Sequence, residues 1–147
     1  MLLMKSYAIK VMAVWMVSHC PVQSKRELFV KELRHYITID TYGKCGSKKC
    51  GDRRTITRTN DFEDDPCLQL IKNYTFYMAL ENSLCEDYVT EKLYRSLRLG
   101  IVPIVLGAVN YSEFAPPNSY IDAKEFTTFS DLANHIKKVA SEAKLYN

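Results

Sequence analysis

Short apolar runs alternate along the chain with stretches in which apolar residues recur at helical spacing. Apolar runs of about four to eight residues are typical of strands that are buried on both faces of a parallel sheet. The predicted strands cover residues 10–17, 37–40, 75–80, 101–106 and 119–121. Pro103 in the fourth strand indicates an irregularity or a place near the sheet edge. The alternation predicts the α/β class, with helices covering a parallel sheet.

Three helices are predicted between these strands. Ser24 and Glu27 form a capping-box signature, and the helix that follows should run to about Tyr36. A second helix should cover 87–99, with Gly100 placed to end it. The last helix is amphipathic, and its apolar positions are Phe129, Leu132, Ala133, Ile136 and Val139.

Length and composition fit one globular domain. The chain has 147 residues, of which 47% are hydrophobic and 25% charged. The balance of 20 Lys and Arg against 17 Asp and Glu is too even for a protein that binds mainly phosphate backbones, so no nucleic-acid partner is expected. The apolar stretch near the start, 11–17, is far shorter than the roughly 20 residues of a membrane span.

The cysteines favour an oxidising compartment. They are Cys20, Cys45, Cys50, Cys67 and Cys85. A zinc site would need tighter pairs, so disulfides are favoured, with one thiol unpaired or paired outside the chain. They indicate a disulfide-constrained, irregular segment over 41–72. Asn73-Tyr74-Thr75 and Asn110-Tyr111-Ser112 match the N-glycosylation acceptor pattern, which also favours a secretory lumen.

Two strand-to-helix junctions carry candidate chemistry. At the first, Lys25 and Arg26 lie at a helix start, where unsatisfied backbone N–H groups favour an anion such as phosphate. At the second, residues 81–83 precede a helix that places Glu91 and Lys92 on the side opposite its apolar residues. A carboxylate accepts from sugar hydroxyls and an ammonium neutralises phosphate. Both sets also fit ordinary solvated helix faces.

At these residues the chain resembles the donor-binding half of the α1,3-fucosyltransferases, glycosyltransferase family ten. The longest match is 76–92 (FYMALENSLCEDYVTEK), followed by 102–107 (VPIVLG) and 110–117 (NYSEFAPP). A second region, 15–18 (WMVS), then Arg26, then 39–46 (IDTYGKCG), also resembles the family. The resemblance covers nearly the whole chain in the family's order.

The resemblance implies transfer of L-fucose from GDP-β-L-fucose to GlcNAc of a glycan or glycoprotein, with inversion. It implies a GT-B enzyme of which residues 1–147 form the second, Rossmann-like, GDP-fucose-binding half. By matched position, Arg26 and Lys92 would hold the diphosphate, Asn82 and Glu91 would bind sugar hydroxyls, and Tyr88 would line the donor pocket. No metal is strictly required in such a scheme, although manganese can stimulate members of the family.

The resemblance also implies parts that this sequence lacks. The family's membrane anchor, stem and first half, which supplies most of the acceptor surface and the expected general base, are not present. The full-length form would be a type II membrane protein of the Golgi lumen. His19 stands where the family usually has Asn, and Leu80 where it usually has Phe. The alternatives are a truncated module that binds GDP-fucose without transfer, and a disulfide-rich secreted interaction domain.

Overall fold

The computed structural model describes residues 12–17, 20–21, 25–50, 66–81 and 91–146. Within them, five strands form one parallel sheet in the order β2-β1-β3-β4-β5. The strands are β1 Ala13–Met16, β2 Ile39–Tyr42, β3 Phe76–Leu80, β4 Val102–Leu106 and β5 Ile121–Asp122. The predicted α/β class and Rossmann-like parallel sheet are confirmed.

Helices cover both faces of this sheet. They are α1 Arg26–Leu33, α2 Pro66–Ile71, α3 Glu91–Arg98 and α4 Phe129–Tyr146. One core lies between the sheet and the pair α1 and α4, and the other lies between the sheet and the pair α2 and α3. Because β3 is central, all five of its residues are buried, which explains why its sequence is continuously apolar rather than alternating.

The start of α1 differs from the prediction. Its N-cap is Lys25, which is left-handed at φ 51° and makes no side-chain capping bond. Ser24, on which the predicted capping box depends, lies outside the described residues. The carbonyl of Lys25 instead accepts from the backbone N–H groups of Leu28 and Phe29. The helix ends at Leu33, three residues before the predicted end.

The second strand begins two residues later than predicted. Parallel pairing with β1 sets its register, in which Ala13 lies opposite Ile39 and Met16 opposite Tyr42. The sequence pattern placed the strand at 37–40 because Ile37 is also apolar, but Ile37 belongs to the core beside the strand.

The segment 41–72 is more ordered than predicted where it is described. Its first two residues belong to β2, and its end forms α2. The expected disulfides are present as Cys20–Cys45 and Cys50–Cys67. The prediction for Cys85 lies outside the described residues.

The later elements agree closely with the sequence pattern. Gly100, at φ 70°, follows the end of α3, as expected of a helix-ending glycine. Pro103 lies on β4, but β5 pairs with β4 only at Ile104 and Val105, so no strand lies opposite the proline on that side. Among the described residues, no helix is both long and apolar enough to cross a membrane.

Candidate functional site

The candidate site lies at the edge of the sheet where the strands end. In a parallel sheet the carboxyl ends of all strands meet at one edge, and ligands of open α/β sheets bind there, where the strand order reverses. In the order β2-β1-β3-β4-β5, the reversal lies between β1 and β3. The chain leaves β1 towards α1 and leaves β3 towards α3, so both predicted junctions flank this position.

Arg26, the first residue of α1, is held against the end of β3. Its Nη1 donates a 3.0 Å hydrogen bond to the carbonyl oxygen of Leu80. Its guanidinium carbon lies 5.6 Å from the centre of the Trp15 ring, in cation–π range. Only 2% of the residue is exposed. Arg26 is therefore a buried cation that joins α1 to the central strand, and not a solvated member of a basic pair.

Lys92 approaches the next residue of the same strand end. Its Nζ lies 4.0 Å from Oε2 of Glu81, and the two side chains are 14% and 1% exposed. Lys92 comes from the first turn of α3, whose Leu93 is buried in the core on the other side. The prediction that α3 has one apolar and one charged side is confirmed for these residues.

Arg26 and Lys92 therefore contact consecutive residues at the end of β3. One contacts residue 80 and the other residue 81, although they are far apart in sequence. The two cations add to the partial positive charge of the N-terminus of α1. This corner of the sheet is electrostatically suited to an anionic ligand such as a diphosphate.

A third junction, after β4, adds a buried tyrosine. Tyr111 begins the 3₁₀ turn Tyr111–Glu113 and is 1% exposed. Its hydroxyl lies beside Gly107, where a Cβ atom would come within 2.2 Å of it. Burial, and then the carboxylates of Glu81 and Asp122, raise the pKa of the Tyr111 phenol above its usual range. The phenol therefore stays protonated at neutral pH and is a hydrogen-bond donor.

The end of β5 completes this edge. Asp122 Oδ1 accepts from the backbone N–H of Lys124 at 3.0 Å. Burial raises the pKa of the Asp122 carboxyl, whereas the backbone N–H and the charge of Lys124 act in the opposite direction. Lys124 Nζ donates to the carbonyl oxygen of Val109 at 3.2 Å and lies 5.9 Å from the centre of the Tyr111 ring. Lys124 thus fixes the segment that carries Tyr111.

The remaining predicted site residues are not placed by the structure. Asn82 and Tyr88 lie outside the described residues, and Glu91 is described only as the first residue of α3. Their predicted contacts with the donor stay predictions. Lys25 is the exposed N-cap of α1 and has no described contact with the cations at the end of β3.

Sequence reasoning missed two parts of this corner. The sequence pattern assigns no role to Glu81, and it includes Tyr111 in a glycosylation pattern and in the family match without a role at the site. A signal for Tyr111 existed, because it follows the fourth strand as Arg26 follows the first and Lys92 the third. Among the described residues, no group of three or more His, Cys, Asp or Glu side chains is placed to hold a metal ion.

Comparison with known proteins agrees with this geometry. Residues 8–147 match the C-terminal region of glycosyltransferase family 10 (fucosyltransferase). The chain is 42% identical over 135 residues to alpha-(1,3)-fucosyltransferase C of Drosophila melanogaster, covering 91% of this chain and 29% of that protein. It is 35% identical over 134 residues to GDP-fucose protein O-fucosyltransferase 3 of Homo sapiens, covering 90% of this chain and 28% of that protein.

Solved structures share the fold. The chain superimposes with a TM-score of 0.71 on a crystal structure of an alpha1,3-fucosyltransferase with GDP-fucose, at 19% identity, covering 94% of this chain and 37% of that one. The match to the family region spans nearly all of the chain, and it includes both junctions that the fold brings together. The chain therefore belongs to glycosyltransferase family 10, the fucosyltransferases, and corresponds to the C-terminal region of that family.

Proposed function

We propose that this chain is the donor-binding part of an α1,3-fucosyltransferase, which transfers L-fucose from GDP-β-L-fucose to GlcNAc of a glycan with inversion. One observation supports this most directly. The cations Arg26 and Lys92 contact the consecutive residues 80 and 81, at the strand-order reversal of a sheet that belongs to the family's C-terminal region. The name of the human relative supports GDP-fucose as the donor, and the two cations support binding of its diphosphate at this corner.

The proposed reaction is a direct displacement at the anomeric carbon of fucose. The oxygen of the acceptor hydroxyl forms a bond to that carbon as the bond to the β-phosphate oxygen breaks. GDP leaves with the electron pair, and the acceptor proton passes to a general base. Arg26 and Lys92 stabilise the negative charge that grows on the departing GDP. We assign the base to no residue of this chain.

The relatives support a second acceptor class. Several relatives at 34–38% identity are named GDP-fucose protein O-fucosyltransferase 3, beside those named α1,3-fucosyltransferase. Both kinds of name describe transfer of a fucosyl group, and they differ in the acceptor. A protein hydroxyl is therefore the alternative acceptor to GlcNAc.

The chain spans about 29% of the length of the relatives it matches most fully. An alternative proposal is a module that binds GDP-fucose and transfers nothing. We further propose that the complete protein works in the Golgi lumen as a type II membrane protein; the two disulfides support the oxidising compartment that this location implies. The two site cations support a reaction without a required metal, in which manganese is at most a stimulant. Transfer rates in EDTA and in added manganese test that point.

Calorimetry with GDP-fucose and GDP tests the donor site. Binding is expected for the unmodified protein, and Lys92→Met is expected to weaken it by about 1.5–3 kcal/mol, the range of a charged hydrogen bond. Arg98→Met is the matched control, because it removes a positive charge from the exposed far end of the same helix. Equal losses in the two variants would contradict a local role for Lys92.

A transfer assay separates the candidate functions. Release of GDP with fucosylation of a GlcNAc-terminated glycan supports the first proposal, and fucosylation of a protein hydroxyl supports the second. Binding without transfer to either acceptor supports the non-catalytic module. Absence of GDP-fucose binding at millimolar ligand would contradict all three.

A further inference from the structure

Tyr111 carries a buried hydroxyl that finds no hydrogen-bond partner among the described residues. Its side chain is 1% exposed, and most polar groups buried to this degree are paired. The hydroxyl is not left over from loose packing, since it lies so close to Gly107 that a Cβ atom there would overlap with it. A donor held this firmly without an acceptor indicates that the acceptor arrives in another state of the site.

The side chain of Glu81 lies next to this hydroxyl. Tyr111 Oη and Glu81 Cγ are both within 3.6 Å of the point that a Cβ atom of Gly107 would occupy. The Glu81 carboxylate also contributes to the raised pKa of the Tyr111 phenol, after burial. The hydroxyl and the carboxylate therefore share one buried space at the ends of β3 and β4.

The contact between Glu81 and Lys92 is long, so the ammonium of Lys92 can leave the carboxylate for another anion. Their charged atoms are 4.0 Å apart, beyond hydrogen-bond distance, and Lys92 keeps 14% of its side chain exposed where Glu81 keeps 1%. A diphosphate at the start of α3 would attract the ammonium of Lys92 away from the carboxylate. Loss of the nearby ammonium raises the cost of burying the Glu81 carboxylate, and an additional hydrogen-bond donor lowers that cost.

We propose that Tyr111 is a positioning residue for donor binding. When the ammonium of Lys92 turns to the diphosphate, the hydroxyl of Tyr111 donates a hydrogen bond to the carboxylate of Glu81. The proton stays on the phenol throughout, and no bond other than hydrogen bonds is made or broken. This inference rests on the proposed function, because it takes the ligand of Lys92 to be the diphosphate of a sugar nucleotide.

Tyr111→Phe tests the proposal with GDP as the probe. GDP affinity is expected to fall roughly tenfold, the effect of a lost hydrogen bond to a charged group. Without ligand, the free energy of unfolding is not expected to fall, because the hydroxyl has no partner to lose in that state. Tyr120→Phe is the control, since that ring lies 6.0 Å from the Tyr111 ring and should leave GDP affinity unchanged.

A second background checks that the effect passes through Glu81. In Glu81→Gln there is no buried charge to compensate, so adding Tyr111→Phe should change GDP affinity by less than about twofold. The proposal is overturned if Tyr111→Phe binds GDP as the unmodified protein does. It is also overturned if the loss is the same in both backgrounds, or if the ligand-free protein is destabilised to match. Failure of the unmodified protein to bind GDP would instead refute the proposed function.

Discussion

Replacing Gly107 by alanine should destabilise the protein through one identifiable overlap. An added Cβ atom would lie 2.2 Å from the hydroxyl oxygen of Tyr111 and 3.3 Å from Cζ of the same ring. Ordinary contacts begin near 3.4 Å, so the ring would have to move by more than an ångström inside a core where it is almost fully buried. Overpacking of this kind costs about 1–3 kcal/mol. We expect Gly107→Ala to lower the free energy of unfolding by that amount in chemical denaturation.

The structure also predicts which second substitution restores stability. Without the hydroxyl of Tyr111, the nearest ring atom is Cζ at 3.3 Å, which a shift of a few tenths of an ångström relieves. The double variant Gly107→Ala/Tyr111→Phe should therefore recover most of the lost stability. Gly100→Ala is the matched control, because φ at Gly100 is 70° and no atom lies within 4 Å of the added Cβ. Its cost is conformational, about 1–2 kcal/mol, and Tyr111→Phe should not reduce it. A double variant no more stable than Gly107→Ala would refute the reasoning.

Further outcomes can be measured on the same protein. Arg26→Met should lower the free energy of unfolding by about 1.5–3 kcal/mol, because the carbonyl of Leu80 loses a charged donor; Arg26→Lys, which keeps the charge, should lose less in the same denaturation assay. Replacing Cys20 and Cys45 by serine should lower the free energy of unfolding by about 3 kcal/mol, because the bridge closes a sequence separation of 25; equal stability with and without reductant would contradict this. Folding raises the pKa of Tyr111, so above about pH 10 the unfolded protein loses this proton before the folded protein does, and the free energy of unfolding should fall by up to about 1.4 kcal/mol per pH unit. Below about pH 10 this loss of stability is absent. Between about pH 9 and 11 the free energy of unfolding should therefore fall less steeply with pH in Tyr111→Phe.

The hydrophobic pattern was sufficient to predict the strands of the sheet, but not the residues at which each strand and helix begins and ends. Strand β3 is buried on both faces, so its apolar run marks it clearly. The bounds of β2 depend on pairing with β1, which local sequence does not express. The N-cap of α1 is Lys25, and local sequence does not express the left-handed backbone of this residue. Tertiary contacts decided these details.

The sequence was sufficient to predict the parts of the site in which a single charged residue follows a strand. Arg26 and Lys92 stand at helix starts after strands, and general rules for parallel sheets bring such positions together. That Arg26 is buried could not be predicted, because its partner is the carbonyl of Leu80 on a strand 54 residues away. The space shared by Tyr111, Glu81 and Gly107 depends on the packing of two strand ends, and no spacing in the sequence encodes it.

The acceptor that holds Arg26 is a main-chain oxygen, which every amino acid carries. Exchange of Leu80 for phenylalanine would leave that bond in place, provided that the strand keeps its path. Variation at residue 80 among natural or engineered relatives therefore says nothing about whether the guanidinium is anchored. Only a shift of the strand itself, for example through a poorly fitting neighbour such as residue 78 or 104 in the same core, would release it. Searches for variants with altered affinity for the donor should accordingly include core residues that pack against the end of β3 as well as the residues at that end.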